Sequence, residues 1–236
     1  MTESIKTPMP DTAEWNAFFP SPYPLSVYTA AKTDFDGAKY DSRYGGKKKV
    51  LVILSDERYL AMENGKLFST GNHPVETLLP MMHLAAAGFS FDIATLSGRR
   101  AKFEQWAMPL GDDAVMAFYE EVLAQMEESQ RLEETLKAIT EASDVPYATV
   151  FIPGGHGVLN AIPENREVHD VLHWAFANEV FIISLCHGPA SLLAANDAKG
   201  FPFAGYELCV FPDSLDEGAN IAIGYMPGRL KKLVGK

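Results

Sequence analysis

Short, uniformly apolar segments alternate along the chain with segments of helical spacing. Five runs rich in β-branched and other apolar residues predict buried strands, at 50–54, 89–96, 148–152, 180–185 and 206–211. Apolar spacing, helix-opening prolines and a closing glycine predict intervening helices, at 74–87, 164–178 and 189–196. The alternation predicts an α/β fold: a parallel sheet with helices on both faces, whose chemistry lies at the carboxyl ends of the strands.

The first 46 residues depart from this pattern. Pro8, Pro10, Pro20, Pro22 and Pro24 interrupt regular elements, and aromatic residues are interleaved with the later ones. We expect an extended N-terminal arm over 1–46, lying on a surface or on a partner subunit.

A second departure is the acidic segment 99–144. Ten acidic and two basic residues lie between Asp112 and Asp144, a net charge of −8. Apolar positions at helical spacing predict one or two amphipathic helices with a solvated acidic face, and a docking surface for a basic partner is the alternative. We predict a helical insert over 99–144 within an α/β core formed by 47–98 and 145–236.

Composition narrows the class of protein. The 236 residues are 47% hydrophobic, enough for a large core, and the net charge of −11 argues against a general nucleic-acid binder. No apolar run approaches the ~18–20 residues that cross a bilayer, and the N-terminus lacks the pattern of a secretory signal. Two cysteines cannot form a disulfide framework, so we expect a cytoplasmic protein without a membrane partner.

The strongest chemical signal follows the strand predicted at 180–185. Cys186, His187, Gly188 and Pro189 join that strand to a helix, the pattern of a nucleophile elbow. At a helix N-terminus the dipole and free N–H groups favour a thiolate, and the same N–H groups, with that of His187, can bind an oxyanion. A buried structural cysteine is the alternative.

Three further loops lie at the same edge of the predicted sheet. Gly154 and Gly155 let backbone N–H groups approach a ligand, although a plain strand-to-helix turn gives the same pattern. Glu76, in the first turn of a helix, can exchange a proton with the thiol if it is protonated or shares a proton, or it can serve as a helix cap. Asp213 or Asp216 can orient His187, unless both are solvated loop acids.

Two other features carry less chemistry in the sequence. His169 and His173 are four residues apart on one predicted helix, a spacing that can bind a metal. The sequence around them offers no obvious third ligand, since Glu167 is not clearly placed, and we expect no metal there. Cys209 lies between apolar residues of a predicted strand, which indicates core packing.

These motifs together resemble a known family. The turn at 153–157, the elbow at 184–190, the segments 63–74 and 223–228, and the aromatic arm near 16–21 resemble the HchA-type glyoxalase III, deglycase and holding-chaperone proteins of the ThiJ/PfpI superfamily. The resemblance implies a flavodoxin-like core with a small inserted helical subdomain, and a cytosolic homodimer. It also implies glutathione-independent conversion of methylglyoxal to lactate, with protein and nucleotide deglycation and a chaperone role ascribed to such proteins.

The resemblance also implies roles for individual residues. Cys186 matches the nucleophile, His187 the adjacent base and Glu76 the carboxylate that touches the sulfur. Asp216 matches the acid of the triad, with Asp213 as the alternative. Gly154, Gly155 and the His187 N–H match the oxyanion site.

Two departures from the family matter. Some relatives carry a two-histidine, one-carboxylate zinc site, and the matching positions here are Ala85, Ser90 and Val122, so we expect that metal site to be lost. Relatives also continue beyond the 229–236 segment through another helix, strand and terminal helix, which makes the completeness of the sheet an open question.

The leading hypothesis is therefore a cysteine-dependent glyoxalase and deglycase acting on small dicarbonyls such as methylglyoxal and glyoxal, without a cofactor. The first alternative is a holding chaperone that binds unfolded proteins through the aromatic arm and an apolar cleft. The second is a cysteine amidase or aminopeptidase that uses the same triad.

Overall fold

The computed structural model describes residues 4–232. Its strands are β1 Met9–Asp11, β2 Ala17–Phe19, β3 Lys49–Leu54, β4 Tyr59–Ala61, β5 Leu67–Ser69, β6 Phe91–Thr95, β7 Gln130–Arg131, β8 Tyr147–Ile152 and β9 Phe181–Ser184. Its α-helices are α1 Pro22–Tyr28, α2 Pro74–Ala86, α3 Asp113–Glu127, α4 Leu132–Glu141, α5 Arg166–Ala177 and α6 Asn220–Ala222. Short 3-10 helices and one short π-helix contain the remaining helical residues.

The main sheet has five strands in the order β7-β6-β3-β8-β9. Every pairing within it is parallel, so all five strands end at the same edge. The predicted α/β class, a parallel sheet between helices, is confirmed. The loops that follow β8 and β9 are adjacent at that edge because the two strands are paired.

The central strand β3 supplies both layers of the core. Val50 and Val52 pack with α2 and α3 on one face, whereas Leu51 and Ile53 pack with α4 and α5 on the other. All four side chains are fully buried, as expected for a strand covered on both faces.

The acidic segment contributes to both of these layers. The buried positions of α3 pack on the face occupied by α2, those of α4 pack on the opposite face, and β7 pairs with β6 at the edge between them. Between Asp112 and Asp144 its acidic side chains are exposed except for Asp112, which caps α3 by accepting a hydrogen bond from the Val115 N–H at 3.2 Å, and Glu104 before them is buried. The segment is therefore part of the sandwich, with a solvated acidic surface.

The N-terminal prolines do not exclude regular structure, which corrects that part of the prediction. β1 and β2 join β5 and β4 in a small second sheet, and α1 opens on Pro22. Proline suits a first helical turn because its missing N–H has no partner there in any case. Residues 29–48 contain no strand or helix.

The apolar run at 206–211 is not a strand, which is a second correction. Tyr206, Leu208 and Val210 are all more than half exposed, and the Phe211 N–H bonds to the carbonyl of Cys186 at 3.0 Å. Without a neighbouring strand the run forms no ladder, so its apolar composition alone did not define its structure. Cys209 is consequently exposed, and its predicted place in the core is wrong.

The helix predicted at 189–196 is a 3-10 helix, Gly188–Ala195. It begins directly after the turn that contains Cys186 and His187, and it is wound more tightly than an α-helix. No helix within residues 4–232 has the length and apolarity needed to cross a membrane.

Two leucine-to-alanine substitutions distinguish the core from the exposed run. Leu51→Ala removes a fully buried side chain from β3 and is expected to lower the free energy of unfolding by about 2–5 kcal/mol. Leu208→Ala, at a side chain that is 54% exposed, is expected to change it by less than about 0.5 kcal/mol. Chemical denaturation measures both, and equal losses would contradict the assignment of 206–211 to the surface.

Candidate functional site

Cys186 occupies a sharp turn at the carboxyl end of β9. Its φ of 55° is left-handed, a conformation that non-glycine residues rarely adopt and that marks a nucleophile elbow. A Cβ on Gly188 would lie 2.5 Å from both the Ile152 carbonyl and the Ser184 hydroxyl, so only glycine fits the next turn. The local sequence therefore fixes the direction in which the thiol points.

The thiol lies between a histidine and a carboxyl group. Its sulfur is 3.3 Å from Nδ1 of His187, and the carboxyl group of Glu76, in the first turn of α2, is near enough to influence the pKa of the thiol. Gly154, in the loop after β8, borders the same space, since a Cβ there would collide with Oε2 of Glu76 and lie 2.7 Å from the Cys186 Cβ. The structure thus brings together three of the predicted site residues around the sulfur.

The resting thiol is protonated. Burial, reinforced by the charge of Glu76 and the hydrogen bond to it, raises the pKa of Cys186 to about 12, and the hydrogen bond from the His187 backbone N–H only partly opposes this. Burial also raises the pKa of Glu76. The expectation of a thiolate stabilised by a helix N-terminus is therefore corrected: burial and the charge of Glu76 keep the proton on the sulfur.

Asp216 holds the ring of His187. Its Oδ2 lies 2.7 Å from His187 Nε2, and its Oδ1 lies 3.1 Å from His156 Nε2 and accepts from Asn220 at 2.7 Å. An ionised carboxylate only accepts, so the proton of His187 is on Nε2 and the lone pair on Nδ1 faces the thiol. His187 is thus oriented to accept the thiol proton.

His156 carries the positive charge of this network. Burial opposes it, but hydrogen bonds and charges from Asp216 and Glu104 raise the pKa of His156 to about 9. Burial and the neighbouring His156 charge lower the pKa of His187, which is therefore neutral near pH 7. The pKa of Asp216 is held below its usual range by bonds to both histidines, although burial acts in the other direction.

Glu104 completes this buried network. It accepts hydrogen bonds from the Thr70 hydroxyl at 2.6 Å and from the His156 backbone N–H at 3.3 Å. Burial raises its pKa, but the bonds and charges of His156, with those of His73 and Thr70, outweigh burial and lower it. Glu104 and Asp216 are therefore two anions that flank one imidazolium.

A cleft of about 1050 Å³ opens over the elbow. Cys186, His187 and Asp216 line it, together with apolar side chains of the 201–211 segment. Phe211 stacks on the His187 ring with centroids 4.7 Å apart. The run mistaken for a strand is thus a wall of the candidate active site.

The remaining predicted residues divide in two groups. Asp213 is exposed and lies only on the lining of the cleft, whereas Asp216 is buried against His187. Gly155, the next residue after Gly154, lies against the backbone of residues 71–73.

Sequence reasoning gave no role to His156, Glu104 and Asn220. The signal available for His156 was its place in the loop after β8, but nothing local indicated that Asp216 would bond both histidines.

Two groups of side chains within residues 4–232 bring possible metal ligands within 4.8 Å of one another. In the first group, the Nε2 atoms of His156 and His187 are already hydrogen-bonded to Asp216, so these nitrogens are engaged within the group itself. The second, His169, His173 and Asp197, lies outside the cleft. Of the positions matched to the family zinc site, Val122 is buried among apolar side chains that also contact Ala85, and Ser90 is exposed.

Comparison with known proteins agrees with the resemblance found in the sequence. A model described as the DJ-1/PfpI family matches residues 67–221. The protein/nucleic acid deglycase HchA of Pseudomonas aeruginosa is 58% identical over 99% of this chain and 81% of the relative. The protein of that name from Staphylococcus aureus is 54% identical over 100% of this chain and 81% of the relative.

Solved structures extend the comparison to the fold. Glyoxalase III from Candida albicans superposes with a TM-score of 0.52 at 16% identity, covering 80% of this chain and 84% of its own. The Rapid Encystment Protein of Francisella tularensis superposes with a TM-score of 0.53 at 21% identity, covering 65% of this chain and 64% of its own. At these identities the likeness establishes the α/β architecture alone.

The charge on His156 predicts a pH dependence of stability. Its pKa is about 9 when folded and 6.5 ordinarily, so its contribution is complete below pH 6.5 and is lost as the pH rises to about 9. Chemical denaturation should show that the stability difference between wild type and His156→Gln shrinks across this window. His83→Gln, at an exposed histidine, is the control. A difference that stays constant with pH would contradict a charged His156.

Proposed function

Because the chain belongs to the DJ-1/PfpI family, we propose that it is a cysteine-dependent glyoxalase and deglycase. It converts methylglyoxal to lactate without glutathione and removes dicarbonyl adducts from proteins and nucleotides. The contact of Cys186 with both Glu76 and His187 at a strained elbow carries the proposal. Relatives that are 54–58% identical and are named protein/nucleic acid deglycase support it.

The first step is addition of the thiol to an aldehyde. The sulfur of Cys186 bonds to the carbonyl carbon, its proton passes through Glu76 or His187, and the carbonyl oxygen ends protonated as a hemithioacetal. Both carriers suit this task, since the pKa of Glu76 is raised and His187 is neutral with its lone pair 3.3 Å from the sulfur.

The second step moves a hydrogen between adjacent carbons. Glu76 or His187 removes the proton from the hemithioacetal carbon, which gives an enediol, and returns a proton to the neighbouring carbon. The product is a lactoyl thioester of Cys186, and water releases lactate and the free thiol. The net reaction is methylglyoxal plus water to lactic acid, and every group that takes part belongs to the chain or to water.

Backbone groups at the elbow bind the developing negative oxygen in this proposal. The proposed donors are the N–H of His187, which bonds to the sulfur, and the N–H groups of the Gly154–Gly155 loop, in which Gly154 lies beside the Cys186 Cβ. The absence of a side chain at Gly154 keeps this space open beside Glu76 and Cys186. Asp216 has a positioning role, since it fixes the tautomer of His187.

The volume of the cleft favours deglycation as well as glyoxalase activity. At about 1050 Å³ it exceeds the space needed by a three-carbon dicarbonyl and matches the range of sites for larger ligands. The apolar wall at 201–211 can pack against the stem of a modified side chain. A reducing cytosol is the proposed location, consistent with both cysteines being free.

Substitution of the sulfur tests the proposed chemistry. Cys186→Ser should lower the rate of methylglyoxal loss without glutathione by at least about 10³-fold, because a hydroxyl is a far weaker nucleophile at this site. Glu76→Gln should lower it by about 10²–10⁴-fold through loss of the proton carrier. Cys209→Ser, at the exposed cysteine, is the matched control and should leave the rate unchanged.

Two results would overturn this assignment. Equal rates for wild type and Cys186→Ser would show that Cys186 is not the nucleophile. Release of amine from peptide substrates, without loss of methylglyoxal, would instead indicate an amidase with the same triad.

A holding chaperone is the second candidate function. Several large apolar side chains are exposed, among them Trp15 at 88%, Phe181 at 76% and Tyr28 at 62%. Exposed apolar surface of this kind can bind unfolded chains or a second copy of this chain in a homodimer.

Protection of a heat-denatured client protein separates this role from catalysis. Suppression of client aggregation should persist in Cys186→Ser and fall several-fold in Trp15→Ser combined with Tyr28→Ser. Light scattering measures it, and size-exclusion chromatography reports the dimer in the same samples. Equal loss of protection in Cys186→Ser would show that the two roles do not have separate sites.

A further inference from the structure

A second cluster of ligating groups lies on α5, outside the cleft. His169 and His173 are one helical turn apart, with ring centroids separated by 4.2 Å. Asp197, just beyond the 3-10 helix at 188–195, faces them from a separate loop. One ring nitrogen from each histidine and one oxygen of Asp197 lie within 4.8 Å of one another.

The hydrogen bonds of His169 leave a lone pair directed at Asp197. Its Nδ1 is 2.7 Å from Oδ1 of Asp170, and a carboxylate accepts only, so Nδ1 carries the proton. In the neutral ring Nε2 therefore carries the lone pair. This atom is buried without a hydrogen-bond partner, and it lies 3.5 Å from Oδ2 of Asp197. In the neutral ring this lone pair faces the carboxylate oxygen, across a gap that either a proton or a metal ion would fill.

His173 has one ring nitrogen engaged by the backbone. Its Nε2 lies 2.9 Å from the carbonyl oxygen of Ala195, which can only accept, so Nε2 carries the proton. The lone pair of the neutral ring is then on Nδ1. Both histidines have one nitrogen fixed by a backbone or carboxylate acceptor, the arrangement that sets the tautomer of metal-binding histidines.

The carboxylate is also fixed in place. Oδ1 of Asp197 accepts from the Lys199 N–H at 2.7 Å, within a tight turn closed by reciprocal backbone bonds of 3.3 and 3.1 Å between Asp197 and Gly200. Oδ2 is left for coordination. Behind His169, Asp170 is held in turn by Arg166, whose Nη2 lies 3.0 Å from its Oδ1.

The spacing fits a tetrahedral centre. Ligands bound at about 2.0–2.1 Å to a tetrahedral zinc ion are separated by about 3.4 Å. The 3.5 Å between Nε2 of His169 and Oδ2 of Asp197 matches one edge of that tetrahedron. Two imidazoles and one carboxylate are a donor set for a borderline divalent ion, with a fourth position open to water.

We propose that His169, His173 and Asp197 bind one divalent transition-metal ion of the zinc type. The sequence predicted no metal at the histidine pair because it offered no clear third ligand nearby. The third ligand comes from a turn 24 residues beyond His173, which only the fold places beside α5. The elbow lies at the N-terminal end of the 188–195 helix. A bound ion would link the C-terminal end of that helix to α5.

Calorimetric titration with zinc chloride tests the site on the full chain. A background with Cys186→Ser and Cys209→Ser removes the thiols as competing ligands. We expect one equivalent of Zn²⁺ to bind, and Asp197→Asn, which keeps an oxygen acceptor for the turn, to weaken binding by at least about 10-fold. His169→Gln and His173→Gln should weaken it at least as much, and His83→Gln should leave it unchanged.

Cobalt provides a second readout. Co²⁺ bound at the site should give the visible absorption bands of a tetrahedral centre, and these should be absent from Asp197→Asn. Failure of the background protein to bind Zn²⁺, or binding that Asp197→Asn leaves unchanged, would overturn the proposal. Should the histidine variants fail to fold, the partly exposed Asp197 position alone decides the outcome.

Discussion

The geometry of the candidate site depends on one constraint, the left-handed backbone of Cys186. At a φ of 55° the chain leaves β9 and turns at once into a 3-10 helix, which projects the thiol out of the sheet edge. Glycine at 188 is required by the close approach of the Ile152 carbonyl, and glycine at 154 by Glu76 and the Cys186 Cβ. Both requirements arise because β8 and β9 are paired in parallel and end together.

Charge is distributed over the site in a way that keeps the thiol and His187 neutral. Glu104 and Asp216 are the anions, and His156 between them holds the positive charge. His187 is left neutral with its lone pair toward the thiol. Burial and the charge of Glu76 then raise the pKa of the thiol, which is therefore protonated at rest. A permanently ionised thiol would be open to oxidation, and a protonated thiol limits this exposure.

The sequence was informative where a pattern is local. Four of the five predicted strands and two of the three helices predicted outside the acidic segment, α2 and α5, follow from apolar runs and helix-end signals, although β9 is exposed at Phe181 and only partly buried beyond it. Cys186, His187 and Glu76 follow from their places at strand and helix ends. The resemblance to the family, now confirmed, supplied Asp216 in preference to Asp213. The contact between Asp216 and His187 agrees with that preference.

Prediction failed where tertiary context decides. The run at 206–211 is apolar like a buried strand but has no neighbour to pair with, so Cys209 is exposed and Phe211 lines the cleft. The position of His156 in the loop after β8 gave no indication of its charge, which comes from Asp216 and Glu104, 60 and 52 residues away. The third group beside His169 and His173 was missed for the same reason.

The ionisation of Cys186 is the measurement that tests this account most directly. In a Cys209→Ser background, the rate of alkylation by iodoacetamide as a function of pH reports the pKa of the Cys186 thiol. The account predicts a high pKa in the otherwise unaltered protein and a lower one in Glu76→Gln, because the amide removes the negative charge that opposes thiolate formation. A pKa that is unchanged or higher in Glu76→Gln would contradict the coupling of thiol and carboxyl on which the proposed mechanism rests.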